Sequence, residues 1–350
     1  SGNYGLLDQQ FALQWVARNI AAFGGDARQV TIFGQSAGGV SVYAQLASPL
    51  AEGLFQRAIV QSGAIFQNTT LATAEGQGVA LATALGCDDQ SAACLRAASV
   101  EAILANQGAP IASTLDWYPV VDGRVLQQDL QTALKSGLFN RVPVIEGSTH
   151  DEGRLYLAAL FDLAGGPITA DRYEDAISSF LPVPLAVAPY FAARYPLAKY
   201  PSPDLALGTM ESDLEACVTR ATSRSLSSFV PTYAYEFADE NAPEVLLPPA
   251  SFPYGAAHGT DVQYIFDVTS GVPEPPLDPS QRALSRAMIR YWTSFARSGV
   301  PSDADWPAYQ ASDVQGGTLL SLVPPSPRQE PSSSFAADHQ CDFWDPLLGS

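Results

Sequence analysis

The sequence predicts an α/β fold, a mostly parallel central sheet flanked by helices, in one domain over residues 1–350. Three observations predict it. Residues 30–63 read as strand, helix, strand ("VTIF", "AGGVSVYAQLA", "RAIVQSG"), a βαβ unit that requires parallel pairing. "VPVIEGS" (142–148) and "TYAYEF" (232–237) supply further short strands of buried or alternating pattern. Helical patterns fill the intervals between them.

In chain order, "LLDQQFALQWVARNI" (6–20) sets Leu7, Phe11 and Trp15 four apart, which predicts an amphipathic helix. "FGGD" ends it, with glycine where a left-handed cap is needed. "VTIF" then predicts a buried strand in the sheet's interior, followed by a helix packed closely through small residues. Residues 71–107 predict alanine-rich helices around Cys87 and Cys94. Residues 153–226 predict helices separated by prolines, a helical insertion or cap within the domain. "SQRALSRAMIRYWTSFARSG" (280–299) is a helix with a glycine stop, and "PPSPRQEPSSS" (324–334) a surface loop or mobile segment. There is no internal repeat. A doubly wound sheet ordinarily begins with strands, whereas this chain opens on a helix.

A hydrophobic content of 47% suits a large core, and no run of about 18 apolar residues predicts a membrane span. No charged and then apolar leader follows Ser1, so a signal peptide is expected to be absent or already removed. Thirty-six acidic against eighteen basic residues leave a charge of -18, which argues against nucleic-acid binding and says little about a small substrate. The four cysteines, Cys87, Cys94, Cys217 and Cys341, are even in number and lack metal-type spacing. They suit disulfides in an oxidising compartment, although the sequence permits three pairings and also four free thiols. The three histidines are scattered, so a zinc site fits poorly and no metal is expected.

Ser36 lies in "VTIFGQSAGGVSV" (30–42), a Gly-x-Ser-x-Gly pattern between strand and helix. Alone it arises by chance in about one chain in ten of this length, so a base and an orienting acid must accompany it. In an α/β-hydrolase site the order is serine, acid, histidine, with Oγ projecting from a sharp turn. Gly34 and Gly38 would relieve crowding there, and the amide of Ala37, opening the next helix, is the natural oxyanion donor. The base is one of His150, His258 and His339. His258, in the glycine-flanked loop "PYGAAHGTDVQYIF", fits the order; His150 precedes the acid candidates, and His339 lies two residues before Cys341. For the acid, "VPVIEGSTHDEGRLY" offers Glu146, Asp151 and Glu152, and Asp151 and Glu152 are not separable on pattern alone.

These residues are recognisable together. "GNYGLLDQQFALQWVARNIAAFGGDARQVTIFGQSAGGVSV" resembles the type-B carboxylesterase/lipase family, which includes cholinesterases and fungal lipases. The likeness continues through "SPLAEGLFQRAIVQSG", "YPVVDGRVL", "VPVIEGSTHDEG" and "AAHGTDVQYIF" and covers most of the chain. It implies the α/β-hydrolase fold and a serine esterase with Ser36 as nucleophile, Glu152 as acid and His258 as base, without cofactor. It also implies the pairs Cys87–Cys94 and Cys217–Cys341 and a secreted or extracytoplasmic location. Asn68-Thr69-Thr70 is a glycosylation sequon, relevant only in a eukaryotic source.

Two departures qualify the resemblance. The family usually carries glutamate before the nucleophile, where this chain has Gln35; a neutral amide weakens a choline-ester reading. The family's His-Gly-Gly oxyanion segment has no counterpart, since Gly24-Gly25, Gly38-Gly39, Gly165-Gly166 and Gly316-Gly317 have no preceding histidine. The expectation is therefore that an N-terminal part is missing here and is supplied by a fragment or companion chain. The expected substrate is a small-molecule or lipid-like ester. The alternatives are a lipase or amidase-type variant, or a cholinesterase-like adhesion protein without catalysis.

Overall fold

The computed structural model describes residues 2–63, 68–108, 117–181, 183–266, 276–301, 305–310, 312 and 316–349. Its sheet has six strands: β1 (Thr31–Gln35), β2 (Arg57–Gln61), β3 (Val144–Thr149), β4 (Thr232–Phe237), β5 (Thr318–Leu322) and β6 (Arg328–Pro331). They lie side by side in chain order, parallel from β1 to β5, with β6 antiparallel on β5. Helices return the chain between the parallel strands, as such crossovers require. Thr69–Thr70 and Val120–Val121 form a separate small pair.

Each inner strand is largely buried on both faces, because helices cover both, and Glu146 and Glu236 are buried among the apolar side chains. On one face Ala58, Val60 and Val144 pack with Val42, Tyr43 and Leu46 of α2 (Ala37–Ala47) and with Leu226. Leu226 belongs to α3 (Pro203–Ser227), a helix buried along most of its length and lying on β3 and β4. On the other face Ile59, Ile145, Tyr233, Tyr235 and Phe237 meet Leu284, Met288, Tyr291, Trp292 and Phe295 of α4 (Pro279–Ser298). Asp278 caps α4 through a reciprocal bond with Gln281, and Gly299 ends it at φ 81°. The cysteines pair as Cys87–Cys94 and Cys217–Cys341, the second tying α3 to the terminal helix α5 (Cys341–Leu348). Among the described residues no single helix is long and apolar enough to cross a membrane.

Three sequence expectations are corrected. The first helix, α1 (Tyr4–Asn19), is present, but its buried residues are Leu6 and Gln10, not the Leu7–Phe11–Trp15 stripe. Gln10 bonds Gln45 and Ser48 beneath it, while Phe11 is 60% exposed. A polar inward contact thus sets the helix's rotation, and apolar spacing does not report it. Second, "VTIF" belongs to the outer strand rather than the interior, and Phe33 is 52% exposed and stacked on Phe266. Third, residues 324–334 are not a loop throughout. Arg328–Pro331 forms β6 on β5, and Ser332–Asp338 is helical. The prolines hid a strand because an edge position tolerates them.

Candidate active site

The turn after β1 is built by close backbone approach. A Cβ added at Gly34 would run into the carbonyl of Gly38, so only glycine fits there. One added at Gly39 would lie 2.9 Å from both Gln61 O and Gly63 Cα, where α2 crosses the end of β2. Gly38 itself is different: an added Cβ meets nothing within 4 Å. Ser36 sits between them at φ 57°, ψ −124°, a conformation costing a non-glycine residue about 1–3 kcal/mol. Its amide donates to Gln61 O at 2.9 Å, while its carbonyl accepts from Val40 N and starts α2. Its side chain does not cap the helix. Ala37 is the first residue of α2, so its N–H is among those left without an intrahelical acceptor.

At the end of β3, Glu152 is fully buried and opens a short helix, Gly153–Leu157. Oε1 accepts from the amide of Thr149 at 2.7 Å, and Oε2 lies 2.5 Å from Nδ1 of His258. The loop carrying His258 is stitched to the same strand end. Asp151 N donates to Ala256 O, and Ala256 N donates to Asp151 Oδ2, each at 2.9 Å. Arg154 holds the other oxygen of Asp151 at 2.8 Å. The two neighbouring acids are thereby separated: Glu152 faces the imidazole and Asp151 clamps its loop. Glu146 lies deeper on β3, where burial pushes its carboxyl up to about 8.

His258 is buried, which pulls its pKa down, but the adjacent Glu152 carboxylate more than offsets this and the net shift is upward. Its Nε2 lies 3.1 Å from the amide nitrogen of Gln35. Among the described residues no direct hydrogen bond joins His258 to Ser36. The ring of Tyr156 lies beside the imidazole, with centroids 5.0 Å apart. The other two histidines are elsewhere. His150 contacts Asp151 and Asp338, and His339 lies between Asp213 and Glu236.

Pattern reading missed several residues around the imidazole. Glu211 and Glu215 are buried on α3; burial pushes Glu211 up to about 7 and Glu215 well up. Asp261, three residues after His258, accepts from Gln61 at 2.7 Å and is raised by burial to about 6. Signals existed for each. Glu211 and Glu215 are one helical turn apart on α3, and Tyr156 stands one turn after Glu152. Glu152, Glu215 and His258 offer three ligand atoms within 4.8 Å of one another, as do His150, Asp338 and His339. In the first group the Glu152 oxygens already serve Thr149 and His258, so the donors are committed to each other.

The carboxylesterase family description matches residues 1–344. The chain belongs to that family. The acetylcholinesterase of Bungarus fasciatus is 32% identical over 389 aligned positions, covering 99% of this chain and 60% of that protein. The chain therefore spans about three-fifths of the length of that relative. A mostly parallel sheet between two helical layers is the α/β-hydrolase architecture of the carboxylesterase family.

Proposed function

We propose that the chain is the catalytic part of a serine carboxylic ester hydrolase working through an acyl-enzyme. Ser36 attacks the ester carbonyl; His258 takes the hydroxyl proton at Nε2 and returns it to the departing alcohol; Glu152 fixes the tautomer and balances the imidazolium. Water activated by the same imidazole then releases the acyl group. The amide of Ala37 donates to the oxyanion. The reading rests above all on the 2.5 Å contact between Glu152 and His258, with the strained Ser36 turn beside it. The order of the three residues and the family membership agree with it.

Gln35 places a neutral amide beside the imidazole, which favours uncharged alcohol groups over a quaternary ammonium. Residues 160–200, rich in large apolar side chains, are proposed as a cap forming part of the acyl pocket. A further polypeptide segment is proposed to cover β1, where Phe33 stands exposed on the outer strand, and to complete the oxyanion site. The two disulfides accord with an extracytoplasmic location.

Ser36→Ala tests the central claim. Ester turnover should fall by about 10⁴–10⁶ with circular dichroism unchanged, and a fluorophosphonate probe should label only the parent. Retained turnover would refute the assignment, and a parent that resists labelling would favour a non-catalytic binding protein. A series of nitrophenyl esters from acetyl to palmitoyl separates esterase from lipase. An intact mass of 37.1 kDa for a fully active, single species would remove the companion segment.

A further inference from the structure

Gln35 occupies the position next to the nucleophile, and its side chain reaches the far side of the base. Nδ1 of His258 lies 2.5 Å from a carboxylate oxygen and so carries the proton. The amide nitrogen of Gln35, 3.1 Å from Nε2, is a donor only, so Nε2 must present its lone pair. These two contacts define one species, the neutral imidazole with hydrogen on Nδ1. That is the tautomer a general base needs; Gln35 engages the Nε2 lone pair at rest and must give it up when the serine proton moves there.

We propose that Gln35 is a positioning residue for His258, holding the resting imidazole in its neutral tautomer with hydrogen on Nδ1. A glutamate at this position can only accept, and it adds a charge 3 Å from the ring. It would favour the imidazolium before any substrate arrives.

The other groups facing His258 are Glu152 from the end of β3, Tyr156 from the helix after it, Glu211 and Glu215 from α3, and Asp261 from its own loop. Together they bias the imidazole toward protonation, and Gln35 is the one neighbour whose hydrogen bond favours the neutral form. The mechanism in which His258 serves as base underlies this inference, but the test reads the imidazole directly.

With three histidines in the chain, ¹⁵N-histidine NMR of the parent, Gln35→Met and Gln35→Glu resolves the His258 titration. Methionine keeps the volume and removes the donor. It should raise the His258 midpoint by up to about 1 unit, and glutamate by about 1–2 units. The parent's neutral state should show a protonated Nδ1 and an unprotonated, hydrogen-bonded Nε2. The acid limb of kcat/KM should move by the same amounts. Identical midpoints in all three proteins, or a neutral state protonated at Nε2, would overturn the inference. If the midpoints shift as expected while Ser36→Ala keeps ester turnover, the enzymatic reading fails and the role of Gln35 on His258 stands. If Ser36 labels with fluorophosphonate but the midpoints do not move, the failure belongs to Gln35 alone.

Discussion

Glu152 and His258, 106 residues apart in the chain, meet at 2.5 Å inside the fold. The contact is held from both sides. Oε1 of the glutamate is fixed by the Thr149 amide, and the histidine loop is laced to Asp151 by one backbone–backbone bond and one to its side-chain carboxylate. Glu152→Gln keeps the shape but offers Nδ1 an amide in place of a charge. Turnover should fall by about 10³–10⁴ at neutral pH, comparable to the loss of an orienting carboxylate in serine proteases. Steady-state kinetics with an unchanged thermal transition is the check; a loss below tenfold would remove Glu152 from the triad.

The same pair sets the pH dependence. The net upward shift on His258 means that it holds its proton above the ordinary histidine range. The acid limb of kcat/KM should therefore have its midpoint above pH 6.5, with activity lost as pH falls through it. A pH–rate profile with a midpoint at or below 6.5 would contradict the arrangement.

Gly34 and Gly38 look equivalent in Gly-x-Ser-x-Gly, and the fold treats them differently. Gly34→Ala pushes a methyl into the Gly38 carbonyl and should destabilise by at least about 1–3 kcal/mol, with Ser36 displaced. Gly38→Ala meets open space within the first turn of α2, where alanine favours the helix by up to about 1 kcal/mol. Urea titrations of both proteins decide it; equal destabilisation would disprove the distinction.

This contrast shows what the sequence carries. The candidates Ser36, Glu152 and His258 could be read as a set because a strained turn demands small neighbours and the proposed chemistry demands an order along the chain; the fold brings Glu152 and His258 into contact, and their roles stand as a proposal. The parallel strands were legible because burial on both faces leaves short apolar runs. The inward face of α1 was not, since Gln10 rather than the Phe11–Trp15 stripe makes the contact. Nor was β6, whose proline-rich sequence reads as a loop until β5 is seen beside it. Tyr156, Glu211 and Glu215 reach the imidazole only through the packing of α3 and the short helix after Glu152, and local pattern does not encode that adjacency.

Cys217–Cys341 encloses 124 residues, whereas Cys87–Cys94 encloses 7. On chain-entropy grounds the long loop contributes about 4–5 kcal/mol and the short one about 2–3. Replacing the first pair by serine should lower the urea midpoint more than replacing the second, with little change in slope for the second. The reverse order would show that unfolded-state loop closure is not what these bonds control.

Beside the long disulfide, His339 is 1% exposed with Nδ1 3.1 Å from Asp213 and Nε2 2.6 Å from Glu236. Two carboxylate partners require both nitrogens to carry hydrogen, so the ring is an imidazolium in the core. Burial pulls its pKa down, but the Glu236 charge and the Asp213 bond outweigh this and raise it to about 9. Because the folded value exceeds the unfolded one near 6.5, the stabilisation is fully present below pH 6.5 and is lost as pH rises through 9. Its size is on the order of 3 kcal/mol. His150, whose ring centroid is 5.0 Å away, is raised to about 11, so its own stabilisation also declines across this range. Calorimetry from pH 6 to 10 should show the transition temperature falling across pH 7–9.5. His339→Gln should be less stable at pH 7 and should fall less steeply over that range, the remaining slope coming from His150 and Glu146. A parent whose stability is flat to pH 10 would mean that His339 is neutral in the fold.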